Sequence, residues 1–395
     1  MRLGSGSRKC IAVATLSAGA LVASTLHARA GADYVQTDLV SDIQGLATLT
    51  DAALVNPWGV AESSGSPFWL SDQGTNESTL YTVNSTGVSK NALTVAIPTT
   101  ATGPQGPTGQ VFNSTTAFTI GASPAHFIFA NLNGTISAWA GGTTATVEAT
   151  TTGAVYTGLA IDPNSKQLYA ANGAQNRIDV FNGSFAPVAL GPSAFVDPNL
   201  PSGLVPFNVQ NIGGQIYVTY APAGHAAQTG ATAGQGVVDV FDTSGNFVKR
   251  LITGSALASP WGVALAPNNF GAYSGDLLVG NFSYADSEIN AFDPNTGALL
   301  GTIAINDGPG NTPGGLWALT FGNGGSGGNP DTLYFTDGIN GETAGLFAAL
   351  TVPEPSGLLL VAPMLVLLAA RARQRASGAT VKGAVSPLRT QLPAR

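Results

Sequence analysis

The chain has 395 residues, of which only 9% are charged while 51 are glycine; so few Glu, Lys and Leu argue against long helices and suit one large all-β unit of short strands and tight turns. Between residues 31 and 352 five basic side chains (Lys90, Lys166, Arg177, Lys249 and Arg250) stand against 21 acidic ones, a balance of −16, which excludes nucleic acid as a partner because phosphate binding needs Lys and Arg. The single cysteine, Cys10, precedes this region, so a disulfide framework, a Cys nucleophile and a thiolate metal site are excluded as well.

At the N-terminus, Arg2, Arg8 and Lys9 lead into an apolar run from Cys10 to Leu26, and Ala28-Arg29-Ala30 follows. Small residues at Ala28 and Ala30 are what signal peptidase needs, so residues 1–30 read as a leader cleaved after Ala30.

The middle of the chain repeats. Six segments open on Pro57-Trp58-Gly59, Pro107-Thr108-Gly109, Tyr156-Thr157-Gly158, Pro206-Phe207-Asn208, Pro260-Trp261-Gly262 and Gly315-Leu316-Trp317, with the variable residues 58, 108, 157, 207, 261 and 317 about 50 apart. Each opening precedes an apolar strand ending on Asp72, Asn131, Asn172, Tyr220, Asn281 or Asp337, then a third strand, and in most repeats room for a fourth. A repeat long enough for three or four antiparallel strands, occurring six times, predicts an all-β six-bladed β-propeller over residues 33–350. The last repeat lacks a fourth strand, so Tyr34 to Val40 is expected to close the ring.

Beyond the repeats, Val352-Pro353-Glu354-Pro355-Ser356 leads into 14 apolar residues, 357–370, and then Arg371, Arg373 and Arg375. Fourteen residues are short for a membrane span, although flanking Arg side chains extend the reach. The positive end belongs in the cytoplasm. Residues 352–375 resemble a PEP-CTERM sorting signal of Gram-negative bacteria, although 20 further residues, 376–395, follow as a cytoplasmic tail where such proteins usually end. The resemblance implies recognition by an exosortase, transient anchoring in the inner membrane, and a destination at the cell surface or outside the cell. Asp38 to Asp42, Leu54 to Ala61, Phe68 to Asp72, Pro107 to Asn113 and Phe127 to Trp139 resemble an uncharacterised family of exported bacterial propellers. The blades are similar, more distantly, to NHL-type repeats.

Paired antiparallel strands put the repeat openings and the second-strand ends on one face. Trp58, Phe207, Tyr220, Trp261 and Trp317 are therefore candidate rim residues, either packing between blades or stacking a sugar or another flat ligand. Asp72, Asn131, Asn172, Asn281 and Asp337 offer oxygens suited to Ca²⁺, or merely bond back to local backbone. Gluconolactonase-like propellers are similar in outline and hold a divalent metal in the channel, which would imply a metal-dependent lactonase or esterase. The insertion at residues 221–235 is a surface loop or a lid over the same face. Gly324 to Gly328 reads as a flexible loop; His126 and His225 fall on opposite faces, so no Ser-His-Asp arrangement is expected. The leading expectation is a non-catalytic binding or scaffold module for an extracellular polysaccharide or small molecule.

Overall fold

A computed structural model describes residues 34–353 apart from Ser165 and Ser255. The expected leader, the apolar 357–370 segment with its arginines, and the expected tail lie outside the described residues; of the expected sorting motif only Val352 and Pro353 fall within them. Among the described residues no helix is long and apolar enough to cross a membrane.

Six antiparallel blades follow the repeats. Blade one is Pro57–Ala61, Phe68–Asp72, Glu77–Asn84 and Gly87–Ala96; blade two is Pro107–Phe112, Phe127–Asn131, Thr135–Trp139 and Thr146–Thr150. Blade three has only Tyr156–Asp162, Gln167–Asn172 and Arg177–Asn182. Blade four is Leu204–Ile212, Gln215–Pro222, Val237–Phe241 and Phe247–Thr253, and blade five Pro260–Leu265, Leu277–Asn281, Ile289–Phe292 and Leu299–Ile303. In blade six, Leu316–Phe321, Leu333–Asp337 and Leu346–Thr351 are completed by the N-terminal strand Val35–Ser41, which pairs antiparallel with the last of them. The expected closure of the ring by the two ends of the domain is therefore observed.

Second strands such as FWLSD, FIFAN and LYFTD are buried at every position. A strand flanked by a blade on either side has no solvent face, so its sequence runs apolar without alternation. Outer strands such as Gly87–Ala96 are mostly exposed. In blade three the outer position falls on Pro187, which cannot donate to a ladder; there the Phe181–Pro187 bridge is flanked by bonds from Asn182 N to Ala186 O, 2.9 Å, and from Val188 N to Val180 O, 2.8 Å.

The repeat openings have a common geometric cause. In all six blades the pairing between first and second strand slips beside the variable residue, a β-bulge that leaves that residue out of the ladder and re-aims it. The glycine that follows lets the inner strand touch its neighbour: a Cβ on Gly109 would stand 2.1 Å from the Leu159 amide nitrogen, and one on Gly262 would stand 2.3 Å from the Trp317 carbonyl oxygen. Blade six carries Ala318 at this place, and blade four Asn208, whose Nδ2 donates to the Trp261 carbonyl at 2.8 Å.

Candidate functional site

The bulges deliver the variable residues to the axis, where the large ones close it. Trp58 and Trp317 stack with ring centroids 3.5 Å apart, and Trp261 stands edge-on, 6.2 Å from Trp58 and 5.6 Å from Trp317. Phe207 and Phe282 complete the cluster, 5.9 and 4.3 Å from Trp317. The Trp261 indole N–H reaches across to the Thr157 carbonyl at 2.8 Å, and that of Trp317 donates to Asn56 Oδ1 at 2.9 Å. No ring of this cluster is more than 4% exposed. Beneath it the channel, lined by Gln110, Asn208, Gln210 and Thr320, has a volume of about 40 Å³, room for water and little else. A substrate therefore does not traverse the axis.

Above the plug lies a cavity of about 520 Å³. Trp58 forms part of its floor, Leu132, Val155 and Val205 form apolar walls, and Asn56, Gln73, Gln228, His225 and Glu342 supply polar groups. This mix, apolar lining with a few convergent polar atoms, is that of a small-molecule site. Its roof is the insertion at residues 221–235, which folds into the short helix His225–Thr229. Gln228 O accepts from Ser259 Oγ at 2.9 Å, and Thr229 O accepts from the Tyr284 amide at 3.1 Å, so the insertion is fastened to blade five.

Glu342 organises the polar corner. Its Oε2 meets His225 Nε2 at 2.5 Å and accepts from Tyr284 OH at 2.8 Å, while Oε1 accepts from Asn56 Nδ2 at 3.2 Å. Backbone strain marks the same place: Asn340, Gly341 and Glu342 adopt φ of 55°, 65° and 66° in succession. For residues with a Cβ this left-handed conformation costs roughly 1–2 kcal/mol each. Such strain persists only where the surroundings over-determine it, and it gathers at functional sites.

The hydrogen bond to Glu342 raises the His225 pKa above 6.5, against the opposing pull of partial burial. Burial, then Glu342, pushes the Tyr284 hydroxyl up. Because the folded pKa of His225 lies above its unfolded value, the stabilisation it brings is complete below about pH 6.5 and is lost as pH rises through the folded pKa. The His225 side chain is 62% exposed, so the pair contributes less than about 1 kcal/mol. An NMR titration is expected to find His225 titrating above 6.5, and to find it returned to the ordinary range in Glu342→Gln; an unchanged titration in that variant would break the assignment.

The residues singled out in the sequence separate into three groups. Trp58, Trp261, Trp317 and Phe207 do converge, as a plug packed ring on ring, and only Trp58 borders the cavity. Tyr220 does not reach the rim; it is buried inside blade four near Asp239 and Asp197. The five oxygen-bearing second-strand ends are not gathered on the axis, because they sit one strand out from it and bond locally. Asp72 accepts from Thr79, Asn131 donates to Ser137, Asn172 to Asp179, Asn281 to the Ala256 carbonyl, and Asp337 meets Asp307. Among the described residues no group of three or more His, Cys, Asp or Glu suits a metal ion. Gly324 to Gly328 is not a free loop, since Val83 N bonds Ser326 O and Gly328 N bonds Val83 O. His126 lies at the opposite strand end, exposed, as expected. His225 is exposed as well, and it borders the cavity beside Glu342. Glu342, Tyr284 and Asn56 were not singled out at all. The available signal was the long insertion on the mouth face, which marked where a partner for His225 had to be sought.

No protein-family model matches the chain. Among solved structures it is similar to the hydrazine synthase of Kuenenia stuttgartiensis, at 16% identity and a TM-score of 0.47 over 74% of this chain and 76% of that one. It is also similar to a streptogramin B lyase, at 10% identity and a TM-score of 0.48 over 81% and 98%. Among curated sequences, the uncharacterized protein R648 of Acanthamoeba polyphaga mimivirus is 31% identical over 274 residues, 65% of this chain and 66% of that protein. The uncharacterized protein L690 of the same virus is 30% identical over 292 residues, covering 70% of this chain and 75% of the relative. On that extent of shared sequence, this six-bladed propeller chain belongs to the family that includes the mimivirus protein L690.

Proposed function

We propose that the protein is an exported surface propeller that binds a small, largely apolar ligand in the roofed cavity above the tryptophan plug. The observation that carries this reading is the cavity of about 520 Å³ bordered by the His225–Thr229 helix. Its chemistry suits a ring or short chain resting on Trp58 between Leu132, Val155 and Val205, with one polar group turned to His225 and Glu342. An extended polysaccharide fits poorly, because Trp58 is stacked on Trp317 and offers no free row of aromatic faces. Export is supported by the leader ending at Ala30, the Pro353-Glu354-Pro355 segment with its arginines, and a fold region without thiol. On this reading signal peptidase and exosortase are transient partners, and the inner membrane a transient anchor, before display at the surface. Hydrolysis of lactones or esters at a channel metal is not favoured, since Asp72 and Asp337 belong to separate blades with separate partners.

The test is a titration with N-phenyl-1-naphthylamine, a neutral apolar fluorophore. Saturable 1:1 binding is expected, weakened at least tenfold in Gly173→Leu. A Cβ at Gly173 would meet nothing closer than 3.4 Å and would point at Thr157 and Val205, so the new side chain fills the cavity without forcing the backbone. Equal binding by both proteins would place the apolar site elsewhere and sink the reading.

A further inference from the structure

In four blades the polar residue that ends the second strand finds a hydrogen-bond partner close by. Asp72 accepts from the Thr79 amide and hydroxyl, Asn131 donates to Ser137, and Asn172 donates to Asp179. Asn281 accepts from the Ala258 amide and donates to the Ala256 carbonyl. In the first three blades that partner sits at one register position of the third strand: Thr79 opposite Leu70, Ser137 opposite Phe129, Asp179 opposite Ala170. In blade six the same position is Ala348, opposite Phe335. Asp337 therefore has no donor in its own blade. It is fully buried, and neither carboxyl oxygen has a hydrogen-bond partner.

What Asp337 meets instead is another carboxyl. Asp307, on the connection between blades five and six, lies within hydrogen-bonding reach of it, and Asp307 Oδ1 is also buried without a partner. Two carboxyls pressed together out of water cannot both stay ionised unless a cation lies between them. Among the described residues no basic side chain is seen to supply it: Lys90 pairs with Asp51, Arg177 with Asp179, Arg250 with Asp197, Lys249 donates to the Asn295 carbonyl, and Lys166 is exposed beside Gly183 in blade three.

We propose that Asp307 and Asp337 together hold a hard divalent cation of the calcium type, which fastens the connection between blades five and six to the inner edge of blade six. Carboxylate donors with no His or Cys beside them select Ca²⁺ over softer metals, and backbone carbonyls and water complete such a shell. The site is also built into the mouth. Asn311 Nδ2 donates to the Asp307 carbonyl at 2.9 Å, and Asn340 Nδ2 donates to Asn311 Oδ1 at 2.9 Å. Asn340 begins the left-handed turn that presents Glu342, so the cation braces the turn on which the polar corner depends. Burial holds both carboxyls above the ordinary range, helped at Asp337 by repulsion from Asp307 and at Asp307 by repulsion from Asp38, which makes a shared proton the competing occupant.

The experiment is melting of the full chain after EDTA treatment, with and without CaCl2, for the native protein, Asp337→Asn and Asp307→Asn. At 10 mM Ca²⁺ the native melting temperature is expected to rise by about 2–4 °C, as for a site of roughly millimolar affinity, and the rise should vanish in both variants. Asp307 is only partly buried on a connection, so Asp307→Asn keeps the test open should Asp337→Asn fail to fold. Two results would overturn the proposal. One is a native protein indifferent to Ca²⁺ with Asp337→Asn as stable as wild type or more so, the mark of a shared proton. The other is a Ca²⁺ response undiminished in the variants, which would put the ion elsewhere.

Discussion

Trp317→Ala is expected to destabilise the protein by about 3–5 kcal/mol, near the top of the range for a buried aromatic. The ring is fully buried and touches Trp58, Trp261, Phe207 and Phe282 at once, so neighbours from blades one, four and five all lose contacts. Its removal also takes the donor from Asn56 Oδ1 inside the protein, an additional cost of about 1–3 kcal/mol if no water enters. Trp58→Ala should cost less within the same range, because Trp58 already borders the cavity. Urea denaturation reads both, with Trp139→Ala as the comparison: Trp139 is partly exposed and should matter far less. A loss under 1 kcal/mol for Trp317→Ala would mean that the plug does not join the blades.

Gly109→Ala is the second large effect, and it acts through crowding rather than cavity formation. The added methyl would stand 2.1 Å from the Leu159 nitrogen and 2.6 Å from the Gly158 carbonyl carbon. Both are backbone atoms of the next inner strand, which cannot swing aside as a side chain can. Overpacking of this kind costs about 1–3 kcal/mol and here should reach or exceed the upper figure. The same denaturation experiment measures it; tolerance within 0.5 kcal/mol would show that blades two and three are further apart than described.

Both predictions grow out of the repeat openings, which explains why the fold was readable from sequence. A bulge at every x and a close approach at every glycine leave a periodic signature, and a ring of similar blades repeats it six times. The N-terminal closure was legible for the same reason, since one repeat visibly lacked its fourth strand. Blade three was less so, because Pro187 removes an outer strand without disturbing the inner motif.

The site was legible only in part. Placing the tryptophans on one face was right, but sequence spacing does not reveal that Trp58 and Trp317 stack on each other rather than on a ligand. The second-strand ends Asp72, Asn131 and Asn172 share a face, yet their side chains turn outward to Thr79, Ser137 and Asp179. Pairing partners on a third strand are set by register, which a list of strand ends does not contain. Glu342 was invisible because its role depends on a left-handed turn in an irregular segment and on a histidine 117 residues away. Nothing local announces such a pair.

The mouth beside the His225–Thr229 helix is where a small apolar molecule is expected to sit. A crystal structure of the protein soaked with N-phenyl-1-naphthylamine tests this most directly. The expected result is the fluorophore lying over Trp58, between Val155 and Val205, with its N–H turned to the His225–Glu342 corner. Density for the probe only in side grooves between blades, with the mouth empty beneath the His225–Thr229 helix, would contradict it.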